Sequence, residues 1–212
     1  MRILITAGPT REPIDDVRFI SNRSSGQMGF ALAEAASSAG HDVTLLLGPV
    51  LLPPSVAERV NVIRFNTTAD LEALLAEHFP QCDVLIKAAA VADYRPATLI
   101  KGKTPRGEGL KIELEPTPDL VAGCAKIKRD DQTIIAFALE DPLVLETRAV
   151  EKMQRKKVDA ILANPLQTMD STDIEPILFY ADGRRDEPGR MVKLALAGWL
   201  ISKIESVTQQ AD

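Results

Sequence analysis

The feature that most constrains this chain is its opening: RILITAG, then a long loop-like stretch, then SSGQMGFALAEAASSAG, then HDVTLLLG. The first run is apolar, has the length of a strand and ends on glycine. In the next segment Met28, Leu32, Ala35 and Ala36 recur at three- and four-residue spacings and Gly40 supplies a stop, the pattern of a helix with one apolar face. HDVTLLLG is a second buried strand. Strand, loop, helix, strand is the beginning of a parallel sheet, because parallel neighbours need a long crossover and that crossover is right-handed in nearly all known cases.

The alternation continues. VNVIRF reads as a strand and TTADLEALLAEHF as a helix whose start, Thr67 or Thr68 with Asp70 nearby, has the composition of a capping arrangement. CDVLIKAAAV is a strand that runs out into small residues, so its end tolerates a close approach. Residues 93–109 (DYRPATLIKGKTPRGEG) show neither period and read as a long mobile loop, followed by a possible short strand KIELE. Thr117, Pro118 and Asp119 open a helix through about Lys128. TIIAFALE is a buried strand, residues 142–157 a charged helix, and VDAILANP a further strand. PILFYADGRR forms one arm of a hairpin turning at Asp182-Gly183, and MVKLALAGWLISKIESV is a terminal amphipathic helix. The expected architecture is a Rossmann-like, doubly wound, mostly parallel α/β sheet with a small β extension. With 212 residues, 45% of them hydrophobic, one domain over residues 1–212 suffices to bury a core.

Charge narrows the partners. A net charge of -5 argues against bulk electrostatic attraction to nucleic acid or an anionic membrane, which leaves small molecules. No stretch approaches a membrane span and MRILITAGPT has no signal-peptide pattern, so a cytoplasmic protein is expected. Cys82 and Cys124 lack CxxC spacing and read as small core residues of a reducing compartment.

Ligands of open parallel sheets bind beyond the C-terminal ends of the strands. The stretches to read are therefore GPTREPIDDVRFISNRSSGQMG, AAAVADYRP, FALE and ANP. The first has glycines at 8, 26 and 29 without GxGxxG spacing, and GxxxxGK[ST] is absent throughout. Ser24, Ser25 and Gly26 at a helix start offer hydroxyls and unpaired backbone N–H groups to a phosphate, although either serine could merely cap the helix. Arg18 and Asn22 supply a charged fork and an amide near that site. His41 and His78 lie away from these stretches and are assigned no role.

Taken in order, GPTREPIDDVRFISNRSSGQMGFALA, AAAVADYRPA, TPDLV, FALE and KKVDAILAN resemble the phosphopantothenoylcysteine synthetase family, also called phosphopantothenate-cysteine ligases. The resemblance runs over essentially the whole chain. It implies a nucleotide-dependent ligase of coenzyme A biosynthesis that joins 4'-phosphopantothenate and L-cysteine through an acyl-nucleotidylate. CTP is the expected nucleoside triphosphate, ATP the other possibility, with Mg²⁺ as cofactor and unknown metal ligands. Such ligases are often fused behind a flavin-dependent decarboxylase, but this sequence starts directly at the ligase motif, so a stand-alone ligase without FMN is expected. A homodimer is expected too, from the family and from the edges of the β extension.

Carried over residue by residue, the resemblance assigns Asn22 and Arg18 to the activated carboxyl, and Gly8, Ser24, Ser25 and Gly26 to nucleotide binding. It places Ala89, Ala90 and Asp93 in a turn at the nucleotide, Phe137 against the base, and Asn164 at the nucleotide edge. FALE is followed by Asp141 where the family more often has threonine. Lys152, Arg155 and Lys156 share a helical face and reach for phosphates, or else simply complement a helix C-terminus. Lys101 or Lys103 would be the cation of a flap, here shorter than in the family. The rivals are an NAD(P)-binding reductase, which lacks its fingerprint and a lysine four residues after Tyr94 or Tyr180, and a lapsed ligand-binding homologue.

Overall fold

The computed structural model describes residues 1–107, 109–168 and 173–208. The first half holds β1 (Arg2–Ala7), β2 (Arg11–Pro13), β3 (Phe19–Ser21), α1 (Gln27–Ser38), β4 (Asp42–Leu47), α2 (Pro54–Ala57), β5 (Asn61–Arg64), α3 (Thr68–His78) and β6 (Val84–Lys87). The second holds β7 (Tyr94–Pro96), β8 (Leu114–Pro116), α4 (Leu120–Ile127), β9 (Thr133–Glu140), α5 (Leu145–Lys156) and β10 (Ala160–Pro165). It closes with β11 (Asp173–Ile174), β12 (Ile177–Tyr180), β13 (Arg185–Asp186), β14 (Met191–Val192) and α6 (Lys193–Thr208).

Eight strands form one sheet in the order β13-β12-β10-β9-β6-β1-β4-β5. From β5 to β10 every pairing is parallel, whereas β12 runs antiparallel to β10 and β13 to β12. The expected Rossmann-like α/β architecture is present. Chain order reverses direction between β1 and β6, which is where such sheets open a crevice.

Both faces of the sheet are covered, as the continuous apolar runs require. On one side Ile3 and Ile5 pack with Leu32 and Ala36 of α1 and with Leu196 and Leu200 of α6. Leu4, between the two isoleucines, points to the other side with Leu71 and Leu75 of α3 and Ala149 and Met153 of α5. Gly29 of α1 sits so close to β1 that an added Cβ would lie 2.2 Å from the Ala7 Cβ. Only glycine permits that helix-to-strand approach. At the α3 start the expected cap is complete, with Thr67 accepting from the Asp70 amide and Asp70 accepting from the Thr67 amide.

Three expectations are corrected. The stretch after β1 is no plain loop, for β2 and β3 pair as a hairpin with Arg11 opposite Ser21. Residues 93–104 are not free either, and Glu108 lies outside the described residues. β7 pairs with β8, and Ile100 donates to Ile14 O at 3.1 Å while Gly102 donates to the Asp16 carboxylate at 3.0 Å. Three-residue strands carry too few positions to show alternation, so their pairing was invisible. Helix α1, finally, starts at Gln27, because Gly26 takes the left-handed conformation with φ 75 and ends the extended approach there. The hairpin at Asp182-Gly183 forms as expected, Gly183 adopting φ 88, but it widens the main sheet, leaving the two residues of β13 as the exposed edge. Among the described residues no helix is long and apolar enough to cross a membrane.

Candidate functional site

At the switch point the backbone beyond β6 must turn away from β1, and two buried hydroxyls fix that turn. Thr6 Oγ1 accepts from the Ala89 amide at 3.1 Å and Thr10 Oγ1 from the Ala92 amide at 3.0 Å. Ala90 donates to Gly8 O at 2.9 Å, and Thr10 to Ala90 O at 3.2 Å. Gly8, with φ 79, therefore holds the turn from behind and does not line the cleft, contrary to its expected place at a ligand. Thr6 and Thr10 read as ordinary members of RILITAGPT, and nothing in their spacing announces this role. The Thr117 hydroxyl closes the other side of the turn by donating to Ala92 O at 2.5 Å.

The resulting cleft has a volume of about 680 Å³ and lies beyond the C-terminal ends of the parallel strands. Residues 22–29 form one wall, the turn 87–93 the floor, and residues 117–121 with 136–139 the opposite side. Neither Ser24 nor Ser25 caps α1, since the helix start has no side-chain cap bond. Their hydroxyls and the first-turn amides of α1 are thus available to an anion. Asn22 donates to Val91 O at 3.0 Å, which ties the wall to the turn. Asn164, at the end of β10, has a buried Oδ1 with no hydrogen-bond partner among the described residues, a group suited to accept from a ligand N–H.

Cations crowd this space. Lys152 and Lys156, one helical turn apart on α5, line it with Arg155, and Lys87 enters from the end of β6. Lys152 Nζ donates to Phe137 O at 3.3 Å, and Lys156 pairs with Asp119 at 2.9 Å. Burial and then the neighbouring charges of Lys156 and Lys152 push the Lys87 amine down to about 8. Burial, followed by Lys156, also lowers Lys152. Burial works to raise Asp119, but the bond from Lys156 and the α4 amide of Ala122 outweigh it and hold the carboxyl below its ordinary value.

Of the expected residues, Asn22, Ser24, Ser25, Gly26, Ala89, Ala90, Asp93, Phe137, Lys152, Arg155, Lys156 and Asn164 come together around this one cleft. Arg18, Lys101 and Lys103 do not. Arg18 Nη2 donates to Thr104 O at 2.6 Å and Nη1 stands 3.6 Å from Asp15, so the fork that looked free for a carboxylate clamps the segment around Thr104. Lys101 and Lys103 are exposed on that clamped segment. Sequence reasoning missed Lys87, Asp119 and Lys193 in the lining. The signal for Lys87 was there: a lysine inside the apolar run VLIKAAA needs a reason to be buried. Tyr94 lies exposed in β7, and Tyr180 donates to Asp186 at 2.9 Å, away from the cleft.

A sheet of this order with its crevice at the switch point defines a doubly wound α/β domain. More particularly, residues 1–207 match the family described as DNA/pantothenate metabolism flavoprotein C-terminal domain, and the chain belongs to that family. It is 48% identical over 167 residues to a cysteine/cysteine sulfinic acid decarboxylase from an unknown prokaryotic organism, covering 78% of this chain and 46% of the relative. It is 44% identical over 197 residues to the coenzyme A biosynthesis bifunctional protein CoaBC of Escherichia coli (strain K12), covering 89% of this chain and 48% of that protein. The chain thus spans about half the length of the curated relatives it matches. Among solved structures, the C-terminal domain of a CoaBC superposes with a TM-score of 0.84 at 36% identity, over 99% of this chain and 96% of that one. A Cab2 mutant, H337A, in complex with phosphopantothenate-cysteine shares the fold, with a TM-score of 0.82 at 20% identity over 99% of this chain and 86% of that one.

These findings correct the expectation of a stand-alone nucleotide-dependent ligase. The family is described as a flavoprotein domain, the 48%-identical relative is named a decarboxylase, and those descriptions name neither a ligase nor CTP or ATP. The nucleoside triphosphate leaves the account with it, and so does the exclusion of FMN. For Mg²⁺ the described residues offer no group of three metal-ligating side chains. The cleft can be tested against FMN on its own donors. Its lysines and the α1 start suit the phosphate of such a group, but Phe137 is the single aromatic side chain lining it among the described residues, and alanines fill the turn beneath. That set does not fit a three-ring flavin, which needs a flat, largely apolar slot, so no step is derived through it.

Proposed function

We propose that this chain is a ligand-binding domain of coenzyme A biosynthesis whose cleft takes 4'-phosphopantothenoylcysteine, a molecule with a phosphate at one end and a cysteinyl carboxylate at the other. The observation that carries this reading is the gathering of Lys87, Lys152, Arg155 and Lys156 beside the uncapped start of α1. Two anionic ends of one flexible ligand need two sets of donors, and the cleft supplies a lysine cluster and a helix N-terminus. Between them Asn22 and Asn164 offer amide groups to the ligand's own amides. The domain is read as one unit over residues 1–212, acting in the cytoplasm as part of the coenzyme A pathway that its 44%-identical relatives serve.

Calorimetric titration with 4'-phosphopantothenoylcysteine and with its dephosphorylated form tests this. The phosphorylated ligand is expected to bind at least ~10-fold more tightly, as loss of one charge-assisted contact set demands. Equal affinity for the two forms, or no binding of either, would sink the reading. The first chemistry to assay is release of CO₂ from carboxyl-labelled ligand, with and without added FMN, because decarboxylation is the reaction printed in the name of the 48%-identical relative.

A further inference from the structure

We propose that Lys87 is the cation that recognises a phosphate monoester in this cleft, with Lys152 and Lys156 beside it. The inference rests on the proposed reading that the ligand carries a phosphate, and it adds which residue seats that group and how its charge is set.

Geometry comes first. Lys87 is the last residue of β6, paired with Thr6 on β1 and Ala136 on β9, neither of which carries charge. Its side chain lines the cleft, and among the described residues its ammonium makes no hydrogen bond or ion pair. The two lysines near it are engaged, Lys152 with Phe137 O and Lys156 with Asp119. An ammonium has three donors and is strongly hydrated, so leaving it half-buried and unpaired is costly unless a ligand completes it.

The titratable groups around it are Lys152 and Lys156 from α5 and Asp119 and Cys124 from α4. The Cys124 thiol is itself pushed by burial to about 11 and stays neutral at working pH. Two cations against one carboxylate already paired to Lys156 leave the pocket short of negative charge. A phosphate dianion corrects this imbalance by offsetting the charges of Lys156 and Lys152, which act after burial to hold the Lys87 amine near 8. Binding above neutral pH must then draw a proton from solvent onto Lys87, while the ligand, whose second ionisation lies near ~6, contributes none there.

Methyl phosphate is the probe, titrated between pH 7 and 9 by the shifts of the protein's amide resonances. Affinity is expected to fall by about tenfold from pH 7 to pH 9, because over that range an amine of pKa about 8 must be recharged on binding. Lys87→Arg keeps the cation and cannot lose its proton, so it should bind at pH 7 nearly as the parent does and lose the pH dependence. Lys87→Gln should bind at least ~10-fold more weakly at pH 7, again without pH dependence. The assignment is overturned if Lys87→Arg retains the parental pH profile, or if folded Lys87→Gln binds as tightly as the parent. Should the glutamine variant fail to fold, the arginine profile decides alone. If methyl phosphate behaves as described but 4'-phosphopantothenoylcysteine does not bind, the functional reading fails and the Lys87 assignment stands. If that ligand binds with an affinity indifferent to Lys87, the assignment fails and the functional reading stands.

Discussion

The cleft and the clamp beside it use the same residue types to opposite ends. In the clamp, where residues 14–18 grip residues 100–104, Asp15 and Arg18 are both partnered while Lys101 and Lys103 stay exposed. Asp15 is buried and accepts from the amides of Val17 at 2.9 Å, Arg18 at 2.8 Å and Thr104 at 3.1 Å, and Arg18 closes the ring on Thr104 O. In the cleft, among the described residues, Lys87 has no bonded partner, Asn164 Oδ1 accepts from nothing, and Lys152 reaches a carbonyl. Satisfied polar groups stabilise an arrangement, while unsatisfied ones in a concave space wait for a ligand. Partnering, and not residue type, separates Arg18 from Lys152.

The contrast breaks most sharply at the α5 lysines. Replacing both Lys152 and Lys156 with methionine should weaken phosphate-monoester binding by at least ~100-fold, as two charge-assisted contacts go, and lower the melting temperature by a few degrees through loss of the Lys156–Asp119 pair. An unchanged affinity would move the anion site elsewhere. The next largest effect is on stability. Gly29→Val places a branched side chain where a Cβ already meets Ala7 at 2.2 Å, and should cost about 1–3 kcal/mol or more in urea denaturation by forcing α1 off the sheet. A neutral result would show that α1 can shift freely.

The clamp has its own signature. The amide of Val17 first, then those of Thr104 and Arg18, hold the Asp15 carboxyl down to about 2, against an unfolded value near the ordinary ~3.9. A depressed folded pKa means stability that is full above pH ~4 and lost as pH falls toward 2. Asp15→Asn should remove that acid-sensitive share and speed proteolysis within residues 97–107 at neutral pH. Retention of the parental acid profile would show that other carboxylates dominate. The smallest expected effect is the most diagnostic for the comparison: Lys101→Gln and Lys103→Gln, alone and together, should change ligand affinity by less than about threefold, because exposed, solvated lysines contribute little. A larger loss would return the segment to the cleft.

Much of the fold was legible because buried parallel strands and amphipathic helices have long periods to read. RILITAG, HDVTLLLG, TIIAFALE and the α3 cap all stand where their patterns put them. The same reading failed on β2, β3 and β7, whose three residues each give alternation nothing to repeat, and on the start of α1, which a left-handed glycine moves to Gln27, while the short strand KIELE overlaps β8. For the site, the stretches picked by the strand-end rule bring Asn22, Ala89, Ala90, Asp93 and Phe137 to one cleft, which the α5 lysines, read from their helical spacing, also line, although the rule could not separate Gly8, which supports the turn, from Gly26, which lines it.

By itself, then, the sequence determined the α/β class, the strand ends that matter and the lysine face of α5, because each is a local pattern or a consequence of chain direction in a parallel sheet. Which charges are free was decided by tertiary structure alone. Arg18 is engaged by a carbonyl 86 residues away in sequence, and the Lys87 amine is lowered by burial first and then by lysines on a helix that follows it by more than 60 residues. Partnering depends on distances between segments that only packing brings together, and no spacing along the chain encodes them.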